Sequence, residues 1–133
     1  MSLVVVDTNV LVSGLINPGG SPAKILNMIL NGEIIILHDS RIIEEYRKVL
    51  MRDKFGFPEE DVNNLVEFLF HEGIQVTPSP VKHKFTDIHD EKFFEAAVSG
   101  NADFLITGNK RHFPKEDFIV NAAEFLRSYK AEI

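Results

Sequence analysis

Three acidic residues on separate predicted elements have the chemistry to bind a divalent cation together. Asp7 directly follows the apolar run at residues 3–6, which we interpret as a short buried strand. Glu45 and Asp90 stand on two predicted helices further along the chain. In open parallel sheets, ligands bind beyond the carboxyl ends of the strands, which is where this interpretation puts Asp7. Carboxylates gathered there suit Mg²⁺ or Mn²⁺, ions that activate water and neutralise the charge developing on a phosphate.

The orientation of Glu45 follows from the helix predicted at residues 40–51. The apolar residues of this helix form one stripe at helical spacing: Ile42, Ile43, Tyr46, Val49 and Leu50. With about 3.6 residues per turn, Glu44 points nearly opposite to the stripe and should be solvated, whereas Glu45 borders the buried face. The alternative for Glu45 is an ordinary ion pair with Arg41 or Lys48 on the same helix.

The helix predicted at residues 90–99 begins with an acid on its apolar face. That face consists of Phe93, Phe94, Ala97 and Val98. Asp90 projects along its centre, and a buried carboxylate is costly unless it is paired or bound to a metal. Glu91 and Glu95 point away, and we expect both to be solvated. The alternatives are that Asp90 complements the helix dipole and that Asp87 is the N-cap.

A second strand end carries polar residues like those around Asp7. Thr107 and Asn109 follow the predicted strand at residues 104–106, as Asp7 and Asn9 follow the first strand. If the two strands are neighbours in the sheet, the two polar segments lie close together. Turn formation is the alternative explanation for Thr107 and Asn109, since Gly-Asn is a common turn pair.

The order of the predicted elements indicates an α/β fold. Strands are predicted at residues 3–6, 34–37, 74–77, 104–106 and 118–120. Helices are predicted after Ser21 as N-cap, at residues 40–51, from Pro58 to Gly73, at residues 90–99 and at residues 122–129. Apolar runs that alternate with helices predict three layers, α/β/α, around a mostly parallel central sheet of about five strands. The length of 133 residues predicts a single domain, residues 1–133.

Composition and charge restrict the class of protein. The chain has no cysteine, which excludes disulfides and zinc–thiolate sites. Without a membrane-length apolar run or a secretory signal pattern, we expect a cytoplasmic protein with no membrane partner. The formal net charge of -6 argues against a broadly basic nucleic-acid-binding surface. Bound divalent ions can nevertheless reverse the charge of an acidic pocket, so a nucleic-acid enzyme is still compatible with this charge.

Several other residues have two interpretations each. Two groups of basic residues either face solvent or contact RNA phosphates: Arg47, Lys48, Arg52 and Lys54, and Lys110, Arg111 and Lys115. His89 is next to Asp90 and His112 is close to Asn109 in the sequence, so each either contacts phosphate or is an ordinary surface histidine, the more common case. Phe55 and Phe57 either stack on bases or belong to the core or a dimer contact.

Four segments, in order, resemble the motifs of the PIN-domain family. This family comprises single-strand-specific, metal-dependent ribonucleases and includes the toxins of many toxin–antitoxin pairs. Residues 5–11 resemble its opening motif, residues 43–50 the helix with the second acid, and residues 90–97 the segment with the third. Residues 105–109 resemble the Thr-x-Asp motif that carries the fourth acid. The resemblance covers nearly the whole chain and implies a PIN-like fold.

The resemblance also implies roles for particular residues. Asp7, Glu45 and Asp90 would be the catalytic, metal-holding acids, with Asn109 as an accessory ligand. Supporting positions would be Thr8, Asn9, Asp87 and Thr107. Asn109 departs from the family, which has an aspartate there. An amide oxygen can ligate a hard cation but brings no charge, so the sequence leaves the number of metal ions and the cleavage rate open.

We therefore expect a Mg²⁺- or Mn²⁺-dependent ribonuclease that hydrolyses single-stranded RNA. The resemblance implies the toxin half of a pair with a small antitoxin protein, and the sequence leaves open whether the domain forms a homodimer. One alternative is a PIN-like protein that binds RNA or a partner with weak or no nuclease activity, which Asn109 favours. Another is a phosphotransferase with Asp7 as nucleophile, although that chemistry typically needs an acid where Asn9 stands.

Overall fold

The central element of the protein is a five-stranded sheet in which every strand pair is parallel. The computed structural model describes residues 2–81, 85 and 87–132, with side chains as far as Lys130. The strands are β1 (Ser2–Val6), β2 (Ile34–His38), β3 (Ile74–Gln75), β4 (Phe104–Ile106) and β5 (Ile119–Val120). Their spatial order is β3-β2-β1-β4-β5, which puts the first strand at the centre. The predicted three-layer α/β/α architecture is confirmed.

Six α-helices flank this sheet in the described part of the chain. They are α1 (Thr8–Ile16), α2 (Ser21–Leu30), α3 (Ser40–Leu50), α4 (Glu59–Glu72), α5 (Ile88–Ser99) and α6 (Ala122–Glu132). Two short 3-10 turns lie at Asp53–Phe55 and Lys110–His112. Because helices connect the parallel strands and cover them, the inner part of the central strand β1 is apolar: Val4, Val5 and Val6 are all fully buried.

Several details differ from the prediction, including the start of α5 at Ile88 instead of Asp90. Helix α1 was not predicted, and it connects the end of β1 to the loop before α2. Ser21 is the first residue of α2, and Gly20 occupies the N-cap position instead. Strand β3 ends at Gln75 because only Ile74 and Gln75 pair with β2. Strand β5 begins at Ile119, one residue later than predicted.

The strand register brings the ends of β1 and β4 to the same edge of the sheet. Val6 is opposite Ile106, so the residues that follow them, Asp7 and Thr107, leave the sheet side by side. The backbone N–H of Asp7 continues this pairing and donates to the carbonyl of Ile106 at 2.9 Å. The expectation that the two polar segments are neighbours is therefore confirmed.

Tyr46 attaches helix α3 to the same edge. Its ring is fully buried and stacks on Phe93 of α5, with 6.5 Å between ring centroids. Its hydroxyl donates to the carbonyl oxygen of Val6, the last residue of β1. Since a buried hydroxyl without a partner is costly, this bond fixes the depth and rotation of α3 against β1. The residue before Tyr46 is Glu45, whose position is thereby determined.

None of the helices in residues 2–81, 85 and 87–132 combines the length and the apolar character needed to cross a bilayer.

Candidate active site

An open cavity of about 710 Å³ lies at the carboxyl edge of the sheet, a volume typical of ligand-binding pockets. The four predicted metal ligands, Asp7, Glu45, Asp90 and Asn109, all line it. Its other lining residues are Asn9, Arg41, Glu44, Lys48, Val49, Arg52, Asp87, Ile88, His89, Glu91 and Lys92. Residues that are as many as 102 positions apart in the sequence are therefore brought to one cavity by β1, α3, α5 and the loop after β4.

Asp7 is held in place by its neighbours at the strand end. It stands at the N-cap position of α1, but its carboxylate turns to the two polar segments. Its Oδ2 accepts a hydrogen bond from the buried Thr107 hydroxyl at 2.8 Å and a longer one from the Asn9 amide at 3.4 Å. These contacts orient the carboxylate at the base of the cavity.

The environment of Asp7 disfavours its charged form. Only 5% of the residue is exposed. The pKa of Asp7 is raised to about 6, mainly by burial and in addition by the nearby Asp90 and Glu45 charges, while the Thr107 hydrogen bond acts in the opposite direction. An acid that is buried next to two other acids is stabilised by a cation, so this perturbation is typical of a functional site.

Glu45 points into the cavity, as the helical register predicts, and it is half-buried. Its Oε2 accepts a hydrogen bond from the hydroxyl of Thr8, the first residue of α1. Its Oε1 lies 2.7 Å from the Nζ of Lys92 on α5. The alternative pairing with Arg41 or Lys48 is wrong, because Glu45 pairs with a lysine from another helix. Glu44 is exposed, as predicted, and lies at the rim of the same cavity.

Asp90 is buried and incompletely satisfied. Among the described residues, none donates a hydrogen bond to its buried Oδ2. The His112 ring nitrogen Nδ1 lies 3.6 Å from that oxygen, too far for a hydrogen bond. Burial raises the pKa of Asp90, and the neighbouring Asp87 charge adds to this effect. Asp87 itself is the N-cap of α5, since its carboxylate accepts from the His89 N–H at 2.9 Å.

The loop after β4 completes the cavity. Thr107 is fully buried, and its Oγ1 accepts from the Asn109 N–H at 3.0 Å while its hydroxyl hydrogen goes to Asp7. The Gly108 N–H donates to the Asn9 side-chain oxygen at 3.1 Å, which ties the loop to the start of α1. Asn109 is exposed and lines the cavity, so its amide is accessible to a ligand there.

Two expectations for α5 are wrong. Glu95 is buried, not solvated: its Oε1 pairs with Arg41 at 2.8 Å, and its Oε2 accepts from the Val81 N–H at 3.1 Å. Val98 is exposed, and Ala96 takes its place on the buried face. Glu91 is half-buried at the cavity wall. The packed face of α5 is therefore rotated toward Ala96 relative to the predicted stripe.

Sequence reasoning did not identify two contacts of the site. The structure brings Lys92 to Glu45, and it brings the His112 ring near Asp90. The sequence signal for Lys92 is its place directly before Phe93 and Phe94, where a charged residue must either leave the core or find a partner.

The donor set of the cavity fits a hard divalent cation, although its acids are not gathered around one point. In residues 2–81, 85 and 87–132, no three His, Asp or Glu side chains lie close enough to hold a metal ion together. Carboxylate and amide oxygens are nevertheless the ligands that Mg²⁺ and Mn²⁺ prefer. The Oδ2 of Asp90, to which no described residue donates a hydrogen bond, and the raised pKa of Asp7 are features that a bound cation would relieve.

Comparison with known proteins shows which class of α/β protein has this fold and strand-end cavity. A family model described as PIN domain matches residues 3–111. Uncharacterized protein MJ1680 of Methanocaldococcus jannaschii is 31% identical over 110 residues, which cover 80% of this chain and 70% of that protein.

The chain belongs to the PIN-domain family. PIN domains are generally nucleases and usually bind divalent metals. The predicted resemblance is thereby confirmed, while the roles of the individual site residues stay predictions.

Proposed function

We propose that the protein is a Mg²⁺- or Mn²⁺-dependent ribonuclease that hydrolyses single-stranded RNA. The observation that supports this proposal most is the convergence of Asp7, Glu45 and Asp90, from β1, α3 and α5, on one cavity of a PIN domain. Three acids from distant parts of a chain rarely share a cavity unless a cation compensates their charge, because like charges repel and burial is costly.

The cavity contains residues that would hold a cation and residues that orient those ligands. Asp7, Glu45 and Asp90 would hold the ion, with the Asn109 amide as an uncharged accessory ligand. A bound divalent ion supplies water activation and neutralises charge on the phosphate. Thr107 and Asn9 orient Asp7, and Thr8 orients Glu45, through the hydrogen bonds described above.

The cavity also has cations that suit a phosphate backbone. Lys48 and Arg52, from α3 and the turn after it, are exposed residues of the wall. They form a basic rim beside the acids although the whole chain is acidic. Such a rim would position RNA phosphates, and it carries no sequence information by itself.

Cleavage of a labelled single-stranded RNA by the full chain tests the proposal. We expect cleavage with Mg²⁺ or Mn²⁺, none with a chelator, and little activity on duplex RNA. Glu45→Gln should reduce the rate strongly because it removes a charge from the ion-holding set, and the adjacent Glu44→Gln should leave the rate nearly unchanged. Equal loss in both variants, or full activity with the chelator, would contradict the assignment.

The alternative function is RNA or partner binding without efficient cleavage. Two observations favour it: the fourth acid is replaced by Asn109, and Lys92 already compensates Glu45. The same RNA separates the two functions when binding and cleavage are measured together. Tight, Mn²⁺-independent binding with no product after long incubation would support the alternative and exclude the ribonuclease.

We further propose that the protein is the toxin of a toxin–antitoxin pair, held inactive by a small antitoxin protein. The support is family membership together with the proposed ribonuclease activity, which would be harmful if uncontrolled. Induced expression of the chain alone in a bacterial host should arrest growth, and Asp7→Asn should relieve the arrest at equal protein levels. Normal growth with abundant, active wild-type protein would argue against a toxin.

A further inference from the structure

Lys92 is a cation inside the acidic cavity. Its side chain is only 11% exposed, and the two residues that follow it on the helix are buried aromatics. The ammonium lies 2.7 Å from Oε1 of Glu45, donates to the His89 carbonyl at 2.6 Å and sits 5.3 Å from the centre of the Phe93 ring. These contacts hold the charge at one point, unlike that of a solvated surface lysine.

Both carboxylate oxygens of Glu45 have protein partners. The Lys92 ammonium forms an ion pair with Oε1, and the Thr8 hydroxyl donates a hydrogen bond to Oε2. Asp90, by contrast, has the buried oxygen Oδ2 to which no described residue donates a hydrogen bond, and the nearby His112 ring nitrogen lies 3.6 Å from it, beyond hydrogen-bond distance. The demand for a further cation is therefore at the Asp90 side of the cavity, while Glu45 is already compensated.

The formal charges of the three acids proposed to hold the ion and of their lysine neighbour agree with this division. Asp7, Glu45 and Asp90 bring three negative charges, and Lys92 brings one positive charge. The remaining two negative charges are what a single divalent ion neutralises. An aspartate at position 109 would add a further charge, but Asn109 adds none. The loss of the fourth acid and the presence of Lys92 act in the same direction, since each lowers the demand for a second ion.

We infer that Lys92 is the resident cation of this site and takes the place of a second divalent ion, so that the cavity binds one. This inference deepens the proposed function, because it requires that the cavity bind a divalent ion at all. In this arrangement Lys92 is a charge-compensating residue: it limits metal affinity and metal number and keeps Glu45 oriented into the cavity.

Mn²⁺ binding to the metal-stripped full chain tests the inference without using RNA cleavage. Titration calorimetry gives the affinity, and electron paramagnetic resonance of free Mn²⁺ gives the number of bound ions. We expect one ion for the wild type. Lys92→Gln should bind Mn²⁺ at least about tenfold more tightly, because removing a positive charge from a partly buried site favours a divalent cation.

Two further variants control this experiment. Lys48→Gln removes the same charge from the exposed rim of the cavity and should stay within about threefold of wild type, because exposed charges are screened by solvent and salt. Lys92→Arg keeps the charge and should also stay near wild type. An unchanged or weaker Mn²⁺ affinity in Lys92→Gln would mean that Lys92 only anchors α3 to α5, and the inference would be overturned.

The combination with Asn109→Asp tests the number of ions. Asn109→Asp alone should still bind one Mn²⁺, more tightly than wild type, whereas Lys92→Gln/Asn109→Asp should bind two. Two ions in the wild type would overturn the inference even if Lys92→Gln did not fold. A lack of Mn²⁺ binding in every folded variant would overturn both the inference and the proposed metal-dependent activity. If the wild type binds Mn²⁺ but Lys92→Gln does not bind it more tightly, only the inference is overturned.

Discussion

Asp7→Asn should reduce the cleavage of single-stranded RNA by roughly a thousandfold, because a metal-bound carboxylate supports several kcal/mol of transition-state stabilisation. The substitution keeps the shape of the side chain and an oxygen that can accept from Thr107, but it removes the charge at the base of the cavity. The measurement is the single-turnover cleavage rate at saturating Mn²⁺, which prevents weaker metal affinity from being mistaken for a slower reaction.

Asp117→Asn is a matched control for this prediction. Asp117 is exposed and precedes β5, so it stands at the edge of the sheet opposite to the cavity. The Asp117→Asn variant should cleave the RNA as fast as wild type. If Asp7→Asn retains a wild-type rate at saturating metal while folded, Asp7 is not part of the ion-holding set and the proposed ribonuclease site is wrong.

The strand ends and helix registers explain why much of this site could be predicted from the sequence. Asp7 and Thr107 each follow a short apolar strand, and parallel pairing of those strands suffices to bring them together. Glu45 lies next to Tyr46 on a helix with a clear apolar stripe, so the direction of its side chain follows from helical geometry. These features depend on local pattern and on a general property of parallel sheets.

What could not be predicted depends on contacts between distant segments. Helix α1 carries the nearly uniform apolar segment Val10, Leu11 and Val12, which has no helical period to detect, and its stability comes from packing against α2 and α3. Glu95 was expected to be solvated because helical periodicity shows only where a side chain points around the helix axis. It does not show which other segments pack over that side chain. The residues that bury it, Arg41 and Val81, come from other parts of the chain.

The same limit applies to Lys92. Its partner Glu45 lies on another helix. A pattern within one helix shows which residues are apolar, but a pair between α3 and α5 depends on how those helices pack. Charge compensation inside the cavity was therefore visible only in three dimensions, whereas the missing charge at Asn109 was visible in the sequence.

The metal-free stability of Asp7→Asn should exceed that of wild type by about 3 kcal/mol at pH 8, the free-energy equivalent of raising a pKa from 3.8 to about 6. Because the pKa of Asp7 is higher in the folded than in the unfolded protein, its carboxylate costs stability above pH 6. That cost declines as the pH falls through 6 and is lost below pH 3.8, where the carboxyl group is protonated in both states. The difference between the two proteins should therefore shrink toward zero near pH 4.

Urea unfolding with a chelator, from pH 8 to pH 4, measures this difference directly. Asp90, Glu45 and Lys92 are present in both proteins, so the part of their pH dependence that does not involve Asp7 cancels. The remaining difference reports the burial of the Asp7 carboxylate together with its repulsion by Asp90 and Glu45. Saturating Mn²⁺ at pH 7 should then reverse the order, because a ligand that binds only the folded state stabilises wild type more than a variant that lacks the charge. A variant that is less stable than wild type at pH 8 without metal, or a difference that does not change with pH, would show that the buried Asp7 carboxylate is compensated by the protein itself. In that case the cavity would have no unmet demand for a cation at Asp7, and the binding function without cleavage would become the better account of the site.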